Sequence, residues 1–132
     1  MNEIDTPGPG GGRAVRRAVE IRRRFPRLKV SLGFPKRGVD LLVNATSVGL
    51  NQDDRSPLDE KAFPIQQAKA VFDVIYRPAE TPLLKSAKAA GCRTANGLGM
   101  LLYQGAKALE IWSGQPAPLS FMRAALEINI YG

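Results

Sequence analysis

Apolar positions along this chain follow two periods. Leu41-Leu42-Val43 is an unbroken apolar run that gives way to Asn44-Ala45-Thr46-Ser47-Val48-Gly49. A run this short reads as a parallel strand buried on both faces, here Leu41 to Ala45. Ala70 to Tyr76 reads as a second apolar strand and Cys92 to Ala95 as a short third. Leu28 to Leu32 alternates like a strand, and Asn2 to Thr6 has the composition of a strand end. Helical spacing governs the rest. Arg13 to Phe25 sets Ala14, Ala18, Ile21 and Phe25 on one stripe, and Pro26 stops it. Thr81-Pro82 supplies an N-cap and a first-turn proline for a helix that closes at Gly91. Gly97 to Trp112 and Pro118 to about Ile130 form two further helices, and Leu58 to Phe63 a short one. Pro7–Gly12, Gly33–Gly38 and Asn51–Pro57 are turns or loops. Strands separated by helices predict an α/β fold with a mostly parallel sheet.

Composition narrows the chemistry. With 132 residues, 44% hydrophobic and 23% charged, the chain suits one globular domain. It contains no apolar run long enough to cross a membrane. Met1 to Gly12 lacks the basic-then-apolar order of a secretory signal, so a cytoplasmic location is expected. The single cysteine, Cys92, forms no internal disulfide and suits a reducing compartment. Without histidine, hydrolysis through a His base is excluded and no protein-only metal site is expected.

The net charge of +7 is local. Ten basic residues and one acid, Glu20, fall between Arg13 and Arg37, a net +9, so the remainder sums to −2. A nucleic-acid surface and a solvated helix face both fit such a block. The absence of aromatic interleaving and of a Gly-rich RNA motif favours the solvated face, so no nucleic-acid partner is expected.

The candidate chemistry lies where strands end. Open α/β sheets bind ligands beyond the carboxyl ends of their strands. Asn44, Thr46 and Ser47 stand at such an end, either lining a cleft or satisfying the turn's own backbone. Gly97 opens a helix whose N-terminus favours anionic groups. Gln104 lies seven residues on, two turns along the same face, with an amide that both donates and accepts.

Several segments in register resemble the shikimate dehydrogenase family, its quinate/shikimate relatives included. They are Val43-Asn44-Ala45-Thr46-Ser47-Val48-Gly49, Phe72-Asp73-Val74-Ile75-Tyr76-Arg77-Pro78, Thr81-Pro82-Leu83-Leu84, Asn96 to Ala106, and Ile111-Trp112-Ser113-Gly114. The likeness runs from Asp40 to about Leu126. It implies an NAD(P)-dependent oxidoreductase of aromatic amino-acid biosynthesis that interconverts 3-dehydroshikimate and shikimate. It also implies a Rossmann-like cofactor domain, expected at residues 1–114, and a family C-terminal helix, expected at 115–132. The N-terminal substrate domain, with the family's catalytic lysine–aspartate pair, has no counterpart here. The fold is therefore expected to be incomplete and no catalytic residue is assigned. A non-catalytic remnant, or a binding module with residual nucleotide or polyanion affinity, is the alternative.

The resemblance places Asn44, Thr46, Ser47, Val74 and Gly97 toward a nicotinamide cofactor, Val74 shielding the ring. It places Tyr76 and Gln104 toward a shikimate- or quinate-like substrate. Gly10-Gly11-Gly12-Arg13-Ala14 fits the family's phosphate loop only with a deletion downstream. The better fit puts Glu3-Ile4-Asp5-Thr6 at the end of the second Rossmann strand. Asp5 then accepts from the adenosine ribose, which favours NAD. Arg13 instead suits the 2′-phosphate of NADP, so both cofactors stay open. The Leu119, Met122, Ala125, Leu126 stripe is expected to be partly uncovered, calling for a homo-oligomer or a separate substrate domain.

Overall fold

The computed structural model describes residues 11–51 and 53–132, which fall into two units divided between Lys36 and Arg37. Asp5 lies outside the described residues.

The described part of the first unit is one helix and a return segment. Helix α1 spans Gly11–Arg24 and carries Arg22, Arg23 and Arg24 in its last turn, where cations suit the helix dipole. The Arg22 guanidinium donates from Nε and Nη2 to the Val30 carbonyl. Of the stripe read from the sequence, only Ala18 is buried; Ile21 and Phe25 are exposed, because residues 25–36 form turns and irregular chain that do not cover them. Leu28–Leu32 is not a strand. The alternation is present, but no described strand lies beside it, and an unpaired strand leaves its backbone groups without a ladder. The guanidinium of Arg22 takes one of those groups instead.

The second unit is an α/β layer. Its sheet has three parallel strands in the order β1 (Val39–Asn44), β2 (Ala68–Asp73) and β3 (Arg93–Asn96). The β1–β2 register pairs Val39 with Ala68 and Asn44 with Asp73, and the β2–β3 register pairs Ala70 with Arg93 and Asp73 with Asn96. Helix α2 (Pro82–Ala89) makes the crossover from β2 to β3. Helices α3 (Leu98–Ser113) and α4 (Leu119–Tyr131) follow and pack on each other.

The caps of α2 are those the sequence announces. The Thr81 hydroxyl accepts from the Leu84 N–H, and Pro82 fills the first turn. At the far end Gly91 takes a left-handed φ of 79°. Its N–H donates to Lys88 O, and the Cys92 N–H donates to Ala87 O. This pair of bonds is the Schellman closure, and Cys92 packs against the core beside it.

The β1–β2 crossover differs from expectation. Leu58–Phe63 is a single turn rather than a helix, with the Ala62 and Phe63 N–H groups both donating to Asp59 O. Pro57 and Pro64 bracket the segment, leaving too few residues for a hydrogen-bond ladder. A 3₁₀ turn at Ile65–Gln67 leads straight into β2.

The core is one-sided. Phe63, Ile65, Ala68, Val71, Leu83, Leu84 and Ala87 form it, with Val39, Leu42, Leu58, Ala90 and Cys92 at its margin. On the opposite face of the sheet Leu41 is 56% and Val43 49% exposed. The reading of β1 as buried on both faces is thus corrected. Alternate residues of a strand point to opposite faces, and within this unit α2 packs on only one. No helix among the described residues is long and apolar enough to cross a membrane.

Leu83 joins α2 to the sheet with no exposed surface. Leu83→Ala is expected to cost about 2–5 kcal/mol by transfer and cavity terms, read as a lowered denaturant midpoint at unchanged slope.

Candidate functional site

The three strands end in a level row of polar side chains. Asn44, Asp73 and Asn96 are register partners at the carboxyl edge of the sheet. The middle one is completely buried and organises the others. Asp73 Oδ1 accepts from Asn44 Nδ2 at 3.1 Å and from the Ile75 N–H at 3.1 Å, while Oδ2 accepts from the Thr81 hydroxyl at 2.7 Å. One carboxylate therefore ties together the end of β1, the chain leaving β2 and the start of α2.

Asn44 uses its whole amide within the protein. Nδ2 donates to Asp73 Oδ1 and to the Val48 carbonyl, and Oδ1 accepts from the Thr46 N–H and the Thr46 hydroxyl. That fills the amide's two donors and both acceptor positions. Thr46 Oγ1 in turn accepts from the Val48 N–H. The loop continues through Gly49, buried at φ 111°, a conformation that suits glycine. Asp54 closes it by accepting from the Gly49 and Asn51 N–H groups at 2.9 and 3.0 Å. Those backbone donors, Asn51 first, hold the Asp54 carboxyl below the ordinary aspartate value of 3.8.

The segment after β2 meets the start of α3. Val74 N–H donates to Asn44 O, and Gly97 N–H donates to Ile75 O. A Cβ on Gly97 would stand 1.9 Å from the Val74 carbonyl oxygen. What the missing side chain admits is therefore protein backbone. Asn96 Oδ1 accepts from the Leu98 N–H, capping the first turn of α3.

The structure thus brings Asn44, Thr46, Ser47, Val74, Tyr76 and Gly97 onto or beside the same edge. Thr46 and Ser47 are exposed and Val74 and Tyr76 half-buried, whereas Asn44 and Gly97 are buried. Gln104 is exposed on α3 two turns beyond Gly97, outside the bonded network of the edge. Arg13 is exposed on α1, in the first unit. The residues that sequence reasoning did not single out for the site are Asp73, Asn96 and Tyr131, whose hydroxyl donates to the Tyr76 carbonyl. For Asp73 a signal existed: it is the one acid within the apolar run Ala70 to Tyr76.

Chemically the edge offers the exposed Ser47 and a half-buried apolar surface at Val74 beside the start of a long helix. This combination suits a flat ring bearing polar substituents. Residues 97–127, which are α3 and most of α4, match the family model described as the shikimate 5′-dehydrogenase C-terminal domain. The shikimate dehydrogenase (NADP(+)) of Methanocella arvoryzae is 46% identical over 92 residues, covering 70% of this chain and 34% of that protein. The chain is related to the C-terminal part of the shikimate dehydrogenases. It spans about a third of the length of the curated relatives it matches.

Solved structures agree on the fold. A shikimate dehydrogenase crystallised with NADP+ superposes with a TM-score of 0.75 at 34% identity, over 92% of this chain and 44% of that one. A 5-ketofructose reductase from Gluconobacter superposes with a TM-score of 0.68 at 32% identity, over 96% of this chain and 45% of that one. The shikimate dehydrogenase likeness thus covers the parallel sheet together with its carboxyl edge.

Asp73→Ala leaves three buried donors without an acceptor. It is expected to cost about 3 kcal/mol or more, measured by chemical denaturation. The Asp54 loop has an acid limit of defined sign. Because the folded carboxyl titrates below 3.8, its contribution is complete above that value and is lost as the pH falls through the lower folded one. The Gly49 and Asn51 amide resonances are expected to titrate with a midpoint below the ordinary aspartate value of 3.8.

Proposed function

We propose that this chain supplies the cofactor-binding part of an NADP-dependent shikimate dehydrogenase. Such an enzyme interconverts 3-dehydroshikimate and shikimate. The observation that carries the reading is the carboxyl edge of the sheet. There Val74 is pinned between Asn44 O and Gly97 beside the exposed residues Thr46 and Ser47. The same segments carry the sequence likeness.

The residues present fit a nicotinamide cofactor. Val74 offers a half-buried apolar surface for one face of the ring, and Ser47 offers a hydroxyl for its polar substituents. When bound, the nicotinamide gives or takes the hydride. This chain's own residues bind and orient it, and Tyr76 and Gln104 are the proposed contacts for the substrate's hydroxyls. Asn44 acts by shaping the loop, since its amide has no hydrogen-bonding capacity left. NADP is preferred over NAD because the relatives are named for it.

A second reading has support from the 5-ketofructose reductase likeness: the same edge serving a different polyhydroxylated ketone. Shikimate is favoured because the curated relatives carrying that name reach 46% identity.

Calorimetric titration of the chain with NADP+ and NAD+ tests the proposal. Saturable binding is expected, tighter for NADP+, and weakened at least about tenfold in Gly97→Ala, whose Cβ forces Val74 away from α3. Absence of saturable binding by either dinucleotide overturns the reading. Binding of 5-ketofructose but not shikimate to the NADP+-loaded chain overturns the substrate assignment alone.

A further inference from the structure

Helix α4 is held at its far end by hydrogen bonds rather than by burial. None of its residues is fully buried, and at its α3 contact Met122 is half-buried near Gly105. Its last residue behaves differently. The Tyr131 hydroxyl donates to the Tyr76 carbonyl at 2.7 Å, across 55 positions of sequence. The same oxygen accepts from Asn96 Nδ2 at 3.0 Å. Asn96 Nδ2 also donates to the Ala79 carbonyl at 3.0 Å, and Asn96 Oδ1 accepts from the Leu98 N–H at 3.1 Å.

These bonds join three segments of the second unit: the loop after β2, the junction of β3 with α3, and the last turn of α4. Two of the three carry residues already placed at the candidate site, Tyr76 in the loop and Gly97 at the junction. A phenol placed only for packing would leave its hydroxyl to water. Here the hydroxyl both donates and accepts, each time to a group that sets the backbone of the site.

We infer that Tyr131 is a positioning residue, a latch by which the C-terminal helix fixes the Tyr76–Ala79 loop against the start of α3. The functional part of this inference rests on the reading of that edge as an NADP site. The latch itself rests only on the hydrogen bonds. Through it, the position of α4 controls how rigidly Tyr76 is presented, so anything that displaces α4 also loosens the site.

Tyr131→Phe keeps the ring and removes both hydrogen bonds, and the whole chain carrying it provides the test. Backbone amide exchange at Gly97 and Leu98, whose N–H groups donate to Ile75 O and Asn96 Oδ1, is expected to quicken about three- to tenfold, the effect of losing hydrogen bonds of ordinary net strength. Exchange at Leu42 and Val71 in the sheet is expected to change less, and the melting temperature to fall by only a few degrees. NADP+ affinity is expected to fall by a similar factor, a local loss that a general packing defect would not produce. Asn96→Ala should have the same local effect and add little in the double variant, since both remove one network. Unchanged exchange at Gly97 and Leu98 in Tyr131→Phe overturns the latch. So does an equal increase across the sheet, which would make Tyr131 a general packing residue. If the unaltered chain binds no NADP+ while Tyr131→Phe still frees the loop, the NADP reading fails and the latch stands.

Discussion

One buried carboxylate, Asp73, sets the geometry on which the rest of the site depends. A carboxylate removed from water is costly unless its oxygens are hydrogen-bonded. Here three donors from three different elements meet that requirement. The cost of burial thus becomes a constraint on position, because the three elements must converge for both oxygens to be satisfied. Thr81 is the clearest case. The hydroxyl that donates to Asp73 is the one that accepts from Leu84 N–H. Helix α2 therefore starts where the end of β2 dictates, and the core packed beneath α2 follows from that.

The same logic separates residues that build the edge from residues free to use it. Asn44 stands in the most recognisable segment of the chain, but its amide is consumed by Asp73, Val48 and Thr46. Thr46 is divided, its hydroxyl tied into the loop while the residue remains exposed. Ser47 and the half-buried Val74 have more freedom. A segment can therefore mark a lineage strongly because it fixes a backbone shape, with the contacts to a ligand left to its less distinctive neighbours.

Much of the second unit was legible in the sequence. The alternation of apolar runs with helical spacing located all three strands and the helices α2, α3 and α4, within a residue or two at most ends. Thr81-Pro82 and Gly91 marked both ends of α2 through local backbone chemistry alone. The errors share one cause, which is that a strand or helix needs something outside itself. Leu28–Leu32 alternates correctly but has no described strand to pair with. Leu58–Phe63 has apolar residues at helical spacing but lies between two prolines. Leu41 and Val43 belong to an apolar run, yet only one face of it meets a helix of its own unit. The role of Tyr131 was illegible for a related reason. A tyrosine near the end of an amphipathic helix carries no local sign of a partner 55 residues earlier.

The polar row across the strand ends also explains why the site is built from backbone as much as from side chains. Asn44 O takes the Val74 N–H, Ile75 O takes the Gly97 N–H, and the Val74 carbonyl occupies the space a side chain at Gly97 would need. Each contact is short-ranged and tolerates little displacement, since a hydrogen bond weakens steeply outside its preferred geometry. A glycine at 97 is required by the protein's own packing before any ligand is considered. Asp73 fixes the base of this arrangement from within the core, and Asn96 holds its rim from the surface. The Val74–Tyr76 segment runs between these two anchors, so its position is determined at both ends. That degree of constraint holds the apolar side of Val74 in one place relative to the polar row.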